Sequence, residues 1–372
     1  MERLLTRRNF LRLVASAASG VVLDACKPRP KAVEAPPTSA PTKVEPPKAA
    51  ATMAPKEVET KDNTANTAVP QATEAPKPTK ETFVAKEVLN PGKLPEKWGY
   101  FTGQGPNADT AFQAANFGTV GPLVTKFMGM EDKDPTLPPD LIEAASLSKN
   151  KESQPNGEII LYVESSSETA CDQIADGKMD EFFTQLGENI AAIHKRGIKV
   201  TVAILPEINM GDQIQNQCPR FKEAFRRVHD IIKNKAPHNS QMALSLNFAT
   251  YPLVPENDPE TYFAKIEGLV DRVIVSGFNF DTDEIPEKTF KEVYGPILDQ
   301  ISQWGVPITL NTGCAKRPYR PDWIRAIPGV LAQYPNVDQV SVFAQDKLGQ
   351  GIEQNWSFGD PESQKSFRDI LP

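Results

Sequence analysis

Glu207 and Asn209 stand just past an apolar run that ends at Ile204, and Glu164 closes another that ends at Val163. A carboxylate fixed at the end of a buried strand can deliver or remove a proton, or accept a hydroxyl hydrogen, at a defined height. Other strand-like runs lead into Thr102 and Gln104, into Asn279, Asp281 and Asp283, into Asn311 and Thr312, and into Gln345 and Asp346. The set is rich in acids and amides and poor in fixed positive charge. A phosphorylated ligand would call instead for arginine or the N-terminus of a helix. Acids and amides suit neutral hydroxyl groups, and aromatic faces suit the C–H face of a sugar ring. Trp98, Tyr100, Phe278, Trp323, Phe343 and Trp356 are the rings available for that, although most of them are expected in the core. Cleaving a glycosidic bond takes two carboxyl groups, about 5–5.5 Å apart for retention of configuration and about 6.5–9.5 Å for inversion. Glu207 supplies one. Asp281, Asp283, Glu284 and Asp346 are candidates for a distant second, against the commoner role of such clusters as a wetted surface.

Eight elements of one kind must carry these residues. Read for period, the chain predicts strands over Trp98–Thr102, Pro122–Phe127, Ile159–Val163, Lys199–Ile204, Gln241–Leu246, Arg272–Ser276, Pro307–Leu310 and Gln339–Phe343. Helical stretches lie between them, clearest over Asp180–His194, Phe221–Lys233 and Phe290–Trp304. Asp180 is the expected N-cap of the first of these and Gly197 its stop. Eight strand–helix alternations in one chain predict an α/β fold, a closed (β/α)8 TIM barrel, rather than an open doubly wound sheet. The first strand is followed by Gly103, Gln104, Gly105 and then Pro106, without the third glycine that would open a phosphate-binding helix. In such a barrel the working residues gather at the C-terminal strand ends. That rule turns the scattered acids and amides into one site.

The chain has 372 residues and a net charge of −7, which argues against nucleic acid as a partner, since phosphate binding needs a clustered basic surface. Three histidines, His194, His229 and His238, make a histidine-rich metal centre improbable, and neither metal nor organic cofactor is expected. Many of the 34 prolines fall between Pro28 and Pro78. From Lys27 to about Glu81 there is no aromatic residue, so the segment lacks the apolar surface to offset its own ordering and is expected to be a disordered, semi-stiff tether.

The stretch Thr6-Arg7-Arg8-Asn9-Phe10-Leu11-Arg12 resembles a twin-arginine export signal. The apolar run behind it, Leu13 to Leu23, is too short to span a bilayer and ends in Leu23-Asp24-Ala25-Cys26, which resembles a lipobox with Cys26 as the lipidated residue. The expected organisation is an export and lipoprotein signal over 1–26, a linker over 27–84 and the barrel over 85–372. The protein is expected at the outer face of the cytoplasmic membrane, held by a lipid anchor, as a monomer.

The order of motifs within the barrel resembles glycoside hydrolase family 26, whose best-known members are endo-β-mannanases. Leu161-Tyr162-Val163-Glu164 is similar to the family's third strand, and Ile174 to Asp180 to the helix start that follows. Pro206-Glu207-Ile208-Asn209-Met210-Gly211 is similar to the fourth strand end, where the family's acid/base glutamate stands. Phe225 to Ile232 and Val270 to Asn279 match two further motifs. The resemblance covers 97 to 356. It implies Glu207 as acid/base, Glu164, Asn209, Phe278, Asn279 and Trp323 as substrate-binding residues, and a β-linked polysaccharide such as mannan as partner. Strand 7 departs from the family. Val306-Pro307-Ile308-Thr309-Leu310-Asn311-Thr312-Gly313 has Asn311 and Thr312 where the nucleophilic glutamate belongs, and neither side chain carries the charge to form a glycosyl intermediate. Ala203 and Pro206 replace the family's arginine and histidine ahead of the acid/base. A non-hydrolytic carbohydrate binder is favoured over an active hydrolase; the alternative is a non-catalytic barrel scaffold for protein contacts at the cell surface. Cys171 and Cys218 fall in loops on one barrel face and can form a disulfide in an exported protein.

Overall fold

The computed structural model describes residues 92–132, 134–147, 157–209, 219–247, 258–279, 288–315, 318–344 and 356–372. The export signal over 1–26, Cys26, the linker over 27–84 and the first residues of the domain expected from 85 lie outside the described residues. So do Cys218, Asp281, Asp283, Glu284, Gln345 and Asp346. Cys171 is disulfide-bonded.

All eight apolar runs are strands: β1 (Lys97–Phe101), β2 (Leu123–Gly129), β3 (Glu158–Glu164), β4 (Lys199–Ile204), β5 (Ser240–Asn247), β6 (Arg272–Asn279), β7 (Ile308–Cys314) and β8 (Val337–Phe343). Every pairing is parallel, in the order β1-β8-β7-β6-β5-β4-β3-β2. This is a nearly closed (β/α)8 barrel. The helices between the strands are α1 (Pro106–Phe117), α2 (Pro139–Leu147), α3 (Ala170–Ala175), α4 (Asp180–Ala192), α5 (Phe221–Lys235), α6 (Pro259–Ile266), α7 (Phe290–Ile301) and α8 (Arg320–Leu331), and α9 (Pro361–Ile370) follows β8. The strands read as apolar runs because both of their faces are covered. Val200, Val202 and Ile204 of β4 pack outward against the helices, while Ala203, with Ile160, Ala243 and Ile274, packs along the barrel axis. Each fully buried valine or isoleucine contributes on the order of 1.5–3 kcal/mol.

The seam between β1 and β2 closes through glycine. A Cβ on Gly99 would sit 2.2 Å from the Leu123 carbonyl oxygen, and one on Gly121 would sit 2.2 Å from that of Trp98. Only bare backbone fits that approach. Across the seam, on the inner side, the Thr125 and Ser341 hydroxyls meet at 3.2 Å.

The helices follow their sequence periodicity. Phe221, Ala224, Phe225, Val228 and Ile232 of α5 form one buried stripe. Gly197 ends the turn behind α4 with φ 73°, as its position predicted. Asp180 is not an N-cap. Met179 takes that place without a side-chain bond, and the Asp180 carboxylate instead receives both arms of Arg227 from α5, at 2.6 and 2.7 Å.

The N-terminal end of the barrel is closed by charge. Lys97 binds Glu158 at 2.9 Å, Thr201 donates to Glu158 at 2.8 Å, and Arg272 pairs with Asp338 and donates to Thr309 at 3.2 Å. The apolar axial layer sits above this floor, and the mouth opens above that.

Candidate functional site: the barrel mouth

Where Glu207 points is decided by the turn that follows β4. Leu205 and Glu207 both have positive φ, 47° and 60°. Such conformations cost non-glycine residues on the order of 1–3 kcal/mol each and persist only where the surroundings impose them. Here the imposing contacts come from both neighbouring strands. Leu205 N–H donates to the Val163 carbonyl at 2.9 Å, and Ile208 N–H to the Ser245 carbonyl at 3.2 Å. Glu207 N–H donates to the Ser245 hydroxyl at 3.3 Å. The Asn209 amide donates to the Asn247 carbonyl at 2.9 Å and accepts from the Asn247 N–H at 2.8 Å. The bend is thereby clamped, and the Glu207 side chain is left half-buried at the mouth.

Asn209 was expected to bind substrate. Its amide is taken up, donor and acceptor, by the backbone of β5, which fixes the turn that carries Glu207. Glu164 ends β3 half-buried at the rim, in register with Gly129. A residue the sequence reading passed over supports it: Glu131 accepts from the Ser165 hydroxyl and from the Ser166 N–H at 2.9 Å, fixing the loop behind Glu164. Burial alone would raise the Glu131 carboxyl, but the hydrogen bonds from Ser165 and the neighbouring backbone hold it below the usual range. Ending the second strand at Phe127 hid Glu131. The strand runs two residues further and turns directly into it.

Alternation along β6 and β7 sorts the remaining candidates. Asn311 faces the axis, and its amide reaches the Ser276 hydroxyl at 3.4 Å. Thr312 faces the helices and accepts from the Trp323 indole N–H at 3.2 Å. The strand-7 position is thus held by Asn311 alone. Trp323 is not at the mouth. It is buried in α8 behind the wall, edge-on to Phe290 at 5.2 Å. Asn279 is buried as well, donating to the Lys288 carbonyl at 3.1 Å, and its carbonyl accepts from Ala315 N–H at 2.8 Å. Both of these expected binding residues are supports. Phe278 does face inward, edge-on to Phe343 at 5.7 Å and to Trp356 at 5.5 Å.

The mouth therefore has two unlike halves. Strands β8, β1, β2 and β3 contribute a contiguous aromatic arc: Phe343, Phe101, Phe127 and Tyr162, with successive ring centroids 5.8, 5.7 and 4.7 Å apart. Phe101, Phe127 and Phe343 are only half-buried. Strands β4 to β7 contribute Glu207, Ser245, Asn247, Ser276 and Asn311.

No protein-family model matches this chain, and no curated protein matches it. Solved structures do. A glycoside hydrolase family 26 β-mannanase from Bacteroides ovatus superposes with a TM-score of 0.54 at 15% identity, covering 77% of this chain and 90% of that one. The catalytic domain of a family 26 endo-β-1,4-mannanase from a Bacillus species gives 0.51 at 14% identity, over 76% and 87% of the two chains. A modular endo-β-1,4-mannanase of the same family from Cellulomonas fimi gives 0.50 at 10% identity, over 75% and 70%.

The domain has a family 26-like barrel fold.

At these identities the likeness is one of fold, and the chemistry has to be argued from the mouth. In this family 26-like barrel, Glu207 is a half-buried carboxylate on the polar wall, able to accept a hydroxyl hydrogen or exchange a proton. Glu164, its carboxylate neighbour, comes from the adjacent strand. Across the barrel, β7 offers an amide.

Proposed function

We propose that the domain holds a neutral β-linked polysaccharide, such as mannan, in the barrel mouth without hydrolysing it. The observation that carries this reading is Asn311: the inward side chain near the end of β7 is an amide hydrogen-bonded to Ser276, not a carboxylate. A retaining hydrolase needs acid and nucleophile on opposite sides of the scissile bond. Glu164 and Glu207 come from the ends of adjacent strands, β3 and β4, and not from facing walls of the barrel. What supports a sugar as occupant is the pairing of half-buried aromatic rings with an acid–amide wall, matched to the C–H face and hydroxyl edge of a pyranose, together with the mannanases among the structural neighbours. The same reading places the protein outside the cell, exported through Arg7 and Arg8 and anchored at Cys26.

Titration calorimetry of the purified full chain with mannohexaose, cellohexaose and xylohexaose, run beside a reducing-end assay on the matching polymers, tests this. Binding without release is expected, with affinity falling at least about tenfold in Glu207→Gln. Release that disappears in Glu207→Gln would mean a second carboxylate acts from another loop, and the protein would be a hydrolase. Absence of binding to all three would leave the scaffold reading.

A further inference from the structure

Among the described residues of the mouth, one buried side-chain polar atom lacks a hydrogen-bond partner: the hydroxyl of Tyr162. Tyr162 is 2% exposed and faces the axis from β3, two residues before Glu164. Its ring is fixed by stacking on Phe127, with centroids 4.7 Å apart and planes 21° apart. Ile160, Ala203, Ala243 and Ile274 pack beneath it as the apolar axial layer.

Other polar groups of the barrel interior have partners of their own. The Ser245 hydroxyl accepts from Glu207 N–H, and the Ser276 hydroxyl accepts from the Asn311 amide. The Tyr294 hydroxyl contacts the Gly277 and Asn311 carbonyls at 2.8 Å each. Burial, and then the negative charge of Glu207, raise the Tyr162 phenol far above its ordinary range, so it remains a hydrogen donor. Leu205 N–H bonds the Val163 carbonyl, one residue past Tyr162, so the turn that carries Glu207 lies beside the end of β3 and on the strand next to the phenol. For filling space alone, phenylalanine would serve better, because a buried unsatisfied hydroxyl is destabilising. A donor kept there without an acceptor is a group that a ligand oxygen would satisfy.

We propose that the Tyr162 hydroxyl and the Glu207 carboxylate together grip a single hydroxyl of a neutral sugar unit, whose oxygen accepts from the phenol while its hydrogen is donated to the carboxylate. This rests on the carbohydrate reading above. It also sets a preference: a uronic acid carboxylate in that position would meet the charge of Glu207, so neutral sugars are selected.

The test is a double-mutant cycle on the full chain, using Tyr162→Phe, Glu207→Gln and the combination, with mannohexaose affinity by calorimetry and melting temperature measured on each. The expected result is a loss of at least about tenfold for Tyr162→Phe at an unchanged or higher melting temperature. The combination should lose little more than the worse single variant, because both groups hold the same hydroxyl. Unchanged affinity in Tyr162→Phe would overturn the proposal and assign the hydroxyl to a buried water. Multiplicative losses would overturn the shared grip. An affinity loss accompanied by a lower melting temperature would make Tyr162 a packing residue and also overturn it. If the unaltered chain binds none of the three hexaoses, the carbohydrate reading itself fails, a result distinct from all of these.

Discussion

Leu205 and Glu207 hold backbone conformations that their side chains disfavour, and the turn persists because Val163, Ser245 and Asn247 hold it from two sides. Strain of this kind marks places where the direction of a side chain matters more than local stability. A second residue at the mouth pays a similar cost in charge. Asp109, in the first turn of α1, is buried and accepts from the Thr102 N–H at 2.9 Å and from the Thr102 hydroxyl. Burial raises its carboxyl from 3.8 to about 6, with the bonds from Thr102 offsetting only part of that effect. The folded state therefore holds this proton more tightly than the unfolded chain does. The resulting stability is fully present below pH 3.8 and is lost as pH rises through about 6. The size is on the order of 2 kcal/mol between pH 4 and pH 7. Urea denaturation across that range should show a falling stability that Asp109→Asn flattens. An unchanged slope in the variant would assign the titration to another group. At this scale the sequence made Glu207 and Glu164 legible, since both end apolar runs. Asn209, Asn279 and Trp323 carried the same signal and turned out to be supports, because their partners are chosen across the fold.

At the scale of elements, the strands were legible because their residues are apolar on both faces, yet the strands extend beyond the apolar letters. β6 continues through Asn279 and β7 through Cys314. The floor of the barrel was not legible at all. Glu158, beside a predicted strand, and Arg272, at the start of another, were not read as partners in a buried charge layer. Burial would raise the Glu158 carboxyl, but the charges of Lys97 and Arg272, with the hydrogen bond from Lys97, lower it from 4.5 to about 2. The sign is opposite to that of Asp109: this stability is present above pH 4.5 and lost as pH falls through about 2. Glu158→Gln should lower stability at neutral pH by roughly 3 kcal/mol, because Arg272 keeps its burial and loses a compensating charge. It should also remove the acid-side slope, which guanidinium denaturation between pH 2 and pH 5 would register.

At the scale of the whole molecule, a barrel with its mouth at one end is joined in sequence to a proline-rich segment and a signal-like N-terminus. Under the proposed anchoring at Cys26, the length of chain ahead of the barrel would give the domain reach toward a polymer away from the membrane. Cys26→Ala should move the protein from the membrane fraction to the soluble exported fraction, and Arg7→Lys with Arg8→Lys should keep it inside the cell. Fractionation followed by immunoblotting checks both, and a protein that stays membrane-bound in Cys26→Ala would refute the lipid anchor.

What the sequence by itself determined is the set of elements and their order. Strand identity follows from short apolar runs and helix identity from a period of 3.6 residues, signals that relate neighbours a few positions apart. From these came the eight strands, the barrel they close into and the two carboxylates at its rim. Only the tertiary structure decided which candidates face the axis and what each one touches. Ser245 meets Glu207 and Asn247 meets Asn209 over 38 residues, and Arg272 meets Asp338 over 66. Such pairings depend on register and on barrel closure at Gly99, and a one-residue slip would turn Asn311 outward and Thr312 inward. That is why the amide of Asn311 was visible in the letters, while the orphaned hydroxyl of Tyr162 appeared only when the strands were assembled.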